Sequence, residues 1–415
     1  NTRRYDLQLD NHSLRFLAGY SAQKWERNFR TVNGNNFPGD QVIWISGATT
    51  TRGNTNNEAW SMASAFGRLM YNFDQKYFFT GSIRRDGSSR FGADNKYGNF
   101  PAFSAGWILS NESFFPDKDW LPFVKLRASW GKTGNFNIGN YQQISNITGT
   151  NYVYGGTVTP GLSISTLGNR DLTWEVTDQT DIGFDVSFFN YRLSLSYDYY
   201  TKLTSGMLFA TALPYSSGFT QIQSNVGELK IWGHEFQISS QNLTGELYWT
   251  TDFNISFNKN IIEELPPNTP FIGNNGRYGQ NNRSEAGQPI AQFYGYIFEG
   301  IYTSQADVEN SPIAETEGST IGTSKMRDVN GDGRITPDDR TLIGDPNPDF
   351  IFGITNSLSY KNFDFNMIIS GQYGNEVINM LDEDLFNIDG VFNMHADMLN
   401  VWRSPENPGN GQVPR

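Results

Sequence analysis

The sequence has no cysteine and only three histidines, His12, His234 and His395, in 415 residues. No disulfide and no thiolate chemistry is available to it. The histidines have neither metal-ligand nor triad spacing. Also missing are G-x-S-x-G, a phosphate-binding glycine loop and H-E-x-x-H, so nothing argues for an enzyme. No run approaches the ~18 consecutive apolar residues of a transmembrane helix. That absence does not oppose membrane insertion, because the strands of a membrane barrel alternate and average out to polar. Basic residues are outnumbered 31 to 43, a formal charge of −12, which disfavours nucleic acid as a partner. Acidic loops facing solvent account for the surplus.

Aromatic residues make up 15% of a chain that is only 37% hydrophobic, and there are 42 glycines. A soluble core would draw more on Leu, Val, Ile and Ala. A barrel with a lipid-facing aromatic surface and a wet interior fits this balance. The stretch 84–107, RRDGSSRFGADNKYGNFPAFSAGW, is the centre of the pattern. Before it, Tyr77, Phe79 and Ile83 alternate with Thr80, Ser82 and Arg84. At its end come Phe103, Ala105 and Trp107. Arg84, Arg85, Asp86, Arg90, Asp94 and Lys96 are expected in a long polar loop between two strands.

The same grammar recurs. Residues 14–24 alternate, 65–71 pairs with 76–84 through a turn at 72–75, and 123–131 sets Val124, Leu126, Ala128 and Trp130 against Lys125, Arg127 and Ser129. The clearest hairpin is 178–202. There Ile182, Phe184, Val186 and Phe188 oppose Asp181, Gly183, Asp185 and Ser187, and the turn is Phe189-Asn190-Tyr191. Further hairpins are expected at 227–240 with 246–258, and at 350–371 around Lys361-Asn362. Residues 26–59, polar and rich in Asn and Gly, are expected to be mostly loop. Helical spacing occurs at Val391, Met394, Met398 and Val401 with Trp402, which predicts a short helix inside a loop. The alternation rule gives roughly 12–16 strands. Short turns alternate with long loops, as in an outer-membrane barrel.

The strongest local motif is DVNGDGRITPDD, Asp328 to Asp339, which fits the calcium-loop template with Asp in place of the final Glu. Asp328, Asn330, Asp332 and Asp339 would supply side-chain oxygens, Arg334 its carbonyl, and Thr336 the water-mediated position. The alternative is a cluster of Asx turns with no metal. Asp382, Glu383 and Asp384 lie too close in sequence to straddle a glycosidic bond, and read as a solvated loop. Aromatics beside polar loops, such as Phe91, Tyr97 and Phe100, suit either sugar stacking or a membrane-interface girdle.

Several long segments resemble the SusC/RagA family of TonB-dependent outer-membrane transporters of Bacteroidota. They include FGRLMYNFDQKYFFTGSIRRDGSSRFG (66–92), FPAFSAGWILSNESFF (100–115), LRASWGKTGN (126–135), NRDLTWEVTDQTDIGFDVSFFNYRLSLSYDYY (169–200), GQPIAQFYGYIFEGIY (287–302), KMRDVNGDGRITPDDRTLIGDPNPDFIFGI (325–354) and YKNFDFNMIISGQYGN (360–375). The resemblance implies an all-β chain, part of a transmembrane antiparallel barrel of about 22 strands with a plugged lumen. On this reading residues 1–415 are an interior barrel piece, with the plug and closing strands elsewhere in a longer protein. It implies TonB-dependent import of oligosaccharides or peptides across the Gram-negative outer membrane. A SusD-like lipoprotein would act above the barrel, and TonB–ExbB–ExbD would act through the plug's N-terminal segment. Outer-membrane lipid would surround the wall. No cofactor is required, and structural calcium is the one candidate ion. Two other functions use the same residues: a non-transporting barrel serving as an adhesin or part of a surface complex, and a soluble, calcium-stabilised carbohydrate-binding β-protein.

Overall fold

The computed structural model describes residues 1–116, 118–267, 269, 271–273, 275–276, 279–314, 318–386, 393–411 and 413–414. The alternating segments become strands. In chain order they are β1 (Thr2–Leu9), β2 (His12–Asn35), β3 (Thr50–Phe73), β4 (Tyr77–Ser88), β5 (Tyr97–Ile108), β6 (Phe123–Asn135), β7 (Asn146–Tyr154), β8 (Thr157–Thr166), β9 (Glu175–Phe188), β10 (Leu193–Ser205), β11 (Leu208–Ala212), β12 (Gln221–Asn225), β13 (Glu228–Thr244) and β14 (Leu247–Glu264). Twelve strands share one sheet in the order β1-β2-β3-β4-β5-β6-β9-β10-β13-β14, then Phe350–Tyr360 and Phe363–Tyr373. Neighbours from β1 to β13 pair antiparallel, each strand hydrogen-bonding its successor in the sheet. β7–β8 and β11–β12 form separate hairpins. Among the described residues no helix is long and apolar enough to cross a membrane.

The described chain divides into two compact units. The first is Asn1–Asn254 with Glu263–Thr269 and Thr355–Met367; the second holds Ile255–Ile262, Pro270–Ile354 and Ile368–Arg415.

In the first unit the turns fall where expected. Asp74 and Gln75 take positive φ between β3 and β4, and Phe189, Asn190 and Tyr191 do so between β9 and β10. Three successive left-handed residues without glycine are unusual, because the Cβ crowds the following carbonyl. Here strand pairing on both sides holds them in place. Lys361 is likewise left-handed between Phe350–Tyr360 and Phe363–Tyr373.

Three expectations are corrected. Residues 26–59 are mostly strand, since β2 and β3 stay paired from His12↔Phe73 to Asn35↔Thr50. Their upper halves lack apolar alternation because both faces are polar there, so periodicity gives no signal although the backbone ladder continues. For the same reason Arg84, Arg85 and Asp86 lie in β4, paired with Phe100, Asn99 and Gly98, and the loop shortens to 89–96. The helix expected around 391–402 is a 3-10 turn, Ala396–Asn400, and Val391 lies outside the described residues. A short helix at Leu381–Leu385, next to it, was not expected.

The first unit's buried apolar cluster sits where the long loops return. Phe91, Phe100, Ile138, Leu172 and Trp174 are buried together, with Met62, Phe136, Val176 and Leu208 against them. Gly134 makes this possible: a Cβ there would meet the Phe100 ring at 2.1 Å and Trp174 at 2.9 Å. The Trp174 indole N–H donates to the Lys96 carbonyl at 3.1 Å. In the second unit Tyr302 and Asp339 are fully buried.

Candidate functional site: the polar inner face

Register places two unlike surfaces on the sheet. On one face Leu69, Phe79, Phe103, Leu126 and Ile182 follow one another from β3 to β9. These large side chains are open: Phe103 is 48% exposed and Ile182 58%. A continuous apolar band of this kind across many strands is a lipid-facing surface. At its short-turn end the Tyr77 and Trp107 rings stack at 6.2 Å. Glu112 accepts from the Tyr77 hydroxyl and from the Trp107 indole N–H, as in an interfacial aromatic belt.

The opposite face is charged and hydroxyl-rich. Arg127 on β6 donates to Asp185 through Nε (2.9 Å) and Nη2 (3.0 Å). It reaches one strand further, with Nη1 2.9 Å from Asp198 Oδ1 and Nη2 donating to Ser196 at 3.0 Å. Ser196 Oγ donates to Asp185 at 2.7 Å, and Ser129 Oγ to Asp181 at 3.1 Å. Gly183 is the position that lets Arg127 span two strands. A Cβ there would lie 2.2 Å from Asp198 Oδ1 and 2.6 Å from the Tyr197 carbonyl. Two shallow recesses of about 320 Å³ open on this face. Phe78, Lys125, Arg127 and Asp198 line the first, and Arg68, Ser82 and Gln179 the second; Thr80, Ser104, Ser129 and Asp181 are common to both. Among the described residues lining these recesses there is no nucleophile–base pair. The arrangement can hold water, ions and polar solutes against a wall.

The sequence presents Lys125, Arg127 and Ser129, and Asp181, Gly183 and Asp185, as the polar sides of two strands. It does not give their register, and register is what joins them. The usable signal was charge complementarity: a basic polar side followed by an acidic one on the next strand of the sheet.

Higher on the same face, the RRDGSSRFG segment ties loops to the wall. Arg84 Nε donates to both Asp86 carboxylate oxygens, and its Nη2 to Ser64 Oγ at 2.9 Å. Arg90 lies over the Trp60 and Phe136 rings and donates to Asn140 Oδ1 at 3.0 Å. Burial lowers the Arg90 pKa from the ordinary guanidinium value, with Glu58 opposing.

In the second unit, the 328–339 loop closes on itself. Asp328 accepts from the N–H groups of Gly331 (2.6 Å) and Gly333 (2.9 Å), Asn330 from Asp332, and Asp332 from Arg334. Asp339, 0% exposed, accepts from Val329 and Thr336, both at 2.8 Å. These bonds, that from Thr336 foremost, hold its carboxyl below the ordinary carboxylate range. Among the described residues no three His, Asp or Glu side chains are grouped to hold a metal ion. Asp328, Asn330, Asp332 and Asp339 spend their oxygens on backbone N–H groups. Asp382 is exposed within the short helix Leu381–Leu385, and His12 and His234 sit against Tyr71 and Tyr197 on strands.

The family described as TonB dependent receptor-like, beta-barrel, matches residues 1–377. TonB-dependent receptor P3 of Formosa agariphila is 36% identical over 99% of this chain and 41% of its own length. TonB-dependent receptor SusC of Bacteroides thetaiotaomicron is 31% identical over 83% of this chain and 35% of its own. This chain thus spans about two fifths of the length of these relatives. The fold is similar to the structure of the RagAB peptide transporter, with a TM-score of 0.82, 26% identity, and coverage of 100% of this chain and 46% of that one. A lipid-facing band, a polar inner wall and a sequence match along most of the chain agree: the chain belongs to the TonB-dependent receptor β-barrel family of the outer membrane.

Proposed function

We propose that this chain forms barrel wall and external rim of a SusC-type importer that carries oligosaccharides or peptides across the outer membrane. The observation that carries the reading is the pairing of a receptor-barrel match over residues 1–377 with a hydrophilic inner wall crossed by the Arg127 network. The likeness to a peptide transporter supports the peptide class. A SusD-like lipoprotein holds ligand above the barrel. Ligand contact with the plug is signalled to the periplasm. TonB, driven by ExbB–ExbD and the proton gradient, pulls the plug's N-terminal segment and opens a path. No bond in the ligand is made or broken. Calcium has no part in the transport step on this reading, because backbone N–H groups already satisfy the 328–339 loop.

The test is purification of the full-length protein from detergent-solubilised outer membrane, with mass spectrometry of what accompanies it, beside growth of a deletion strain on defined glycans and peptides. A SusD-like lipoprotein at matching stoichiometry and loss of growth on one nutrient class are expected. A barrel that emerges alone or with adhesion or secretion proteins, from a strain whose deletion costs no growth, overturns the importer reading.

A further inference from the structure

We infer that the upper end of the β2–β3 ribbon carries an oligosaccharide subsite on its inner face; the inference rests on the importer reading. The register there is unbroken: Trp25 pairs with Trp60, Arg27 with Glu58 and Phe29 with Asn56. Side chains alternate along a strand, so these six share one face. It is the same face as Arg68, eight residues below Trp60 on β3 and lining one of the inner recesses.

The outer face at this height is polar. Lys24 pairs with Glu26 at 3.4 Å, and Asn57 donates to Glu26 (3.3 Å) and Asn28. Lipid has therefore ended at these rungs, and the tryptophans are not part of a membrane girdle. Nor are they simply loop core. The Trp25 and Trp60 rings are near-parallel, 22° apart with centroids at 6.4 Å, and both are only half-buried. Trp60 is braced from one side by Arg90 at 5.2 Å and by the edge of Phe136. Among the described residues Trp25 has no such brace, and its ring contact is with Trp60.

Beside the indoles, Arg27 lies over the Phe29 ring at 4.9 Å. Glu58 is held by long bonds of 3.4 Å from Asn56 and Asn140. A pyranose presents C–H faces and a rim of hydroxyls. Flat indoles match the faces, and carboxylate, amide and guanidinium groups match the rim, each able to donate to or accept from a hydroxyl. A peptide would be held through its backbone at an open sheet edge or through an apolar pocket. This surface is a sheet face, and its polar groups surround rings instead of a pocket.

The experiment uses the full-length receptor in detergent, probed on an array of α- and β-linked oligosaccharides and, in parallel, with an octapeptide library. Trp25→Ala is the diagnostic variant, because Trp25 stacks on Trp60 alone among the ring contacts described, and Trp60 keeps Arg90 and Phe136 without it. It should weaken glycan binding about tenfold or more, as loss of an anchoring aromatic does, while thermal stability is unchanged and Trp25→Phe restores part of the binding. Absence of any glycan bound by the parent, binding retained within about twofold in Trp25→Ala, or a lowered melting temperature in that variant would overturn the subsite. The importer reading has its own readout: a receptor that co-purifies with its lipoprotein and supports growth, yet binds glycans equally well without Trp25, loses the subsite and keeps the importer.

Discussion

Arg127 shows how one side chain depends on another residue's absence of one. Its reach to Asp198 needs the space that Gly183 leaves. Gly183→Ala should push Asp198 away and loosen the β9–β10 pair, and Arg127→Ala should leave two carboxylates facing each other. Each should cost about 1–3 kcal/mol, the range for losing hydrogen bonds to a charged group, read as a shifted urea midpoint in lipid vesicles. A midpoint unchanged by Arg127→Ala would mean that water replaces the guanidinium at no cost. Asp339 is a second such hub. Its folded pKa is depressed, so its contribution is present above the unfolded value of about 3.9 and disappears as pH falls through the folded one. Limited proteolysis of the 328–339 loop should stay slow at neutral pH and accelerate in acid, and Asp339→Ala should accelerate it at neutral pH already. Because backbone N–H groups satisfy this loop, chelation with EDTA should leave its proteolysis rate unchanged. Protection on adding calcium would instead make Asp328, Asn330 and Asp332 ligands.

At the scale of elements, the lower halves of the strands could be read from the sequence, and the upper halves could not. Ile182, Phe184, Val186 and Phe188 against Asp181, Gly183, Asp185 and Ser187 announce a strand with lipid on one side and water on the other. From Glu26 to Ala59 both sides are wet, so the pattern that betrays a strand is missing although ten rungs, Glu26↔Ala59 to Asn35↔Thr50, pair β2 with β3 there. The turns were legible because turn chemistry is local. The Arg127 network and the Trp25–Trp60 pair were not, because they arise from pairing between strands. The calcium template was legible as a motif, yet the same Asp and Asn residues that ligate a cation also form Asx turns, and spacing alone does not separate the two. The alternation itself makes a prediction. Ile182→Arg, on the lipid face, should destabilise the folded barrel by about 2–4 kcal/mol. Ser104→Arg, one strand face away and lining the recesses, should be close to neutral. Equal costs would contradict the assignment of faces.

For the molecule as a whole, two faces of one sheet divide the labour. The apolar face holds the protein in lipid, and the polar face is the hydrated side, which on the proposed importer reading lines the ligand's route. Residues 1–415 contain no cysteine, so thiols introduced there are the only ones within this stretch. Single cysteines placed at 103, 126 and 182, and at 104, 127 and 181, in the full-length receptor in native outer membrane can be labelled with a water-soluble maleimide and with a lipid-phase spin label. The account predicts that 103, 126 and 182 report lipid and resist the aqueous reagent, while 104, 127 and 181 react with it through a water-filled lumen. Aqueous labelling at all six positions, or the reverse alternation, would contradict it.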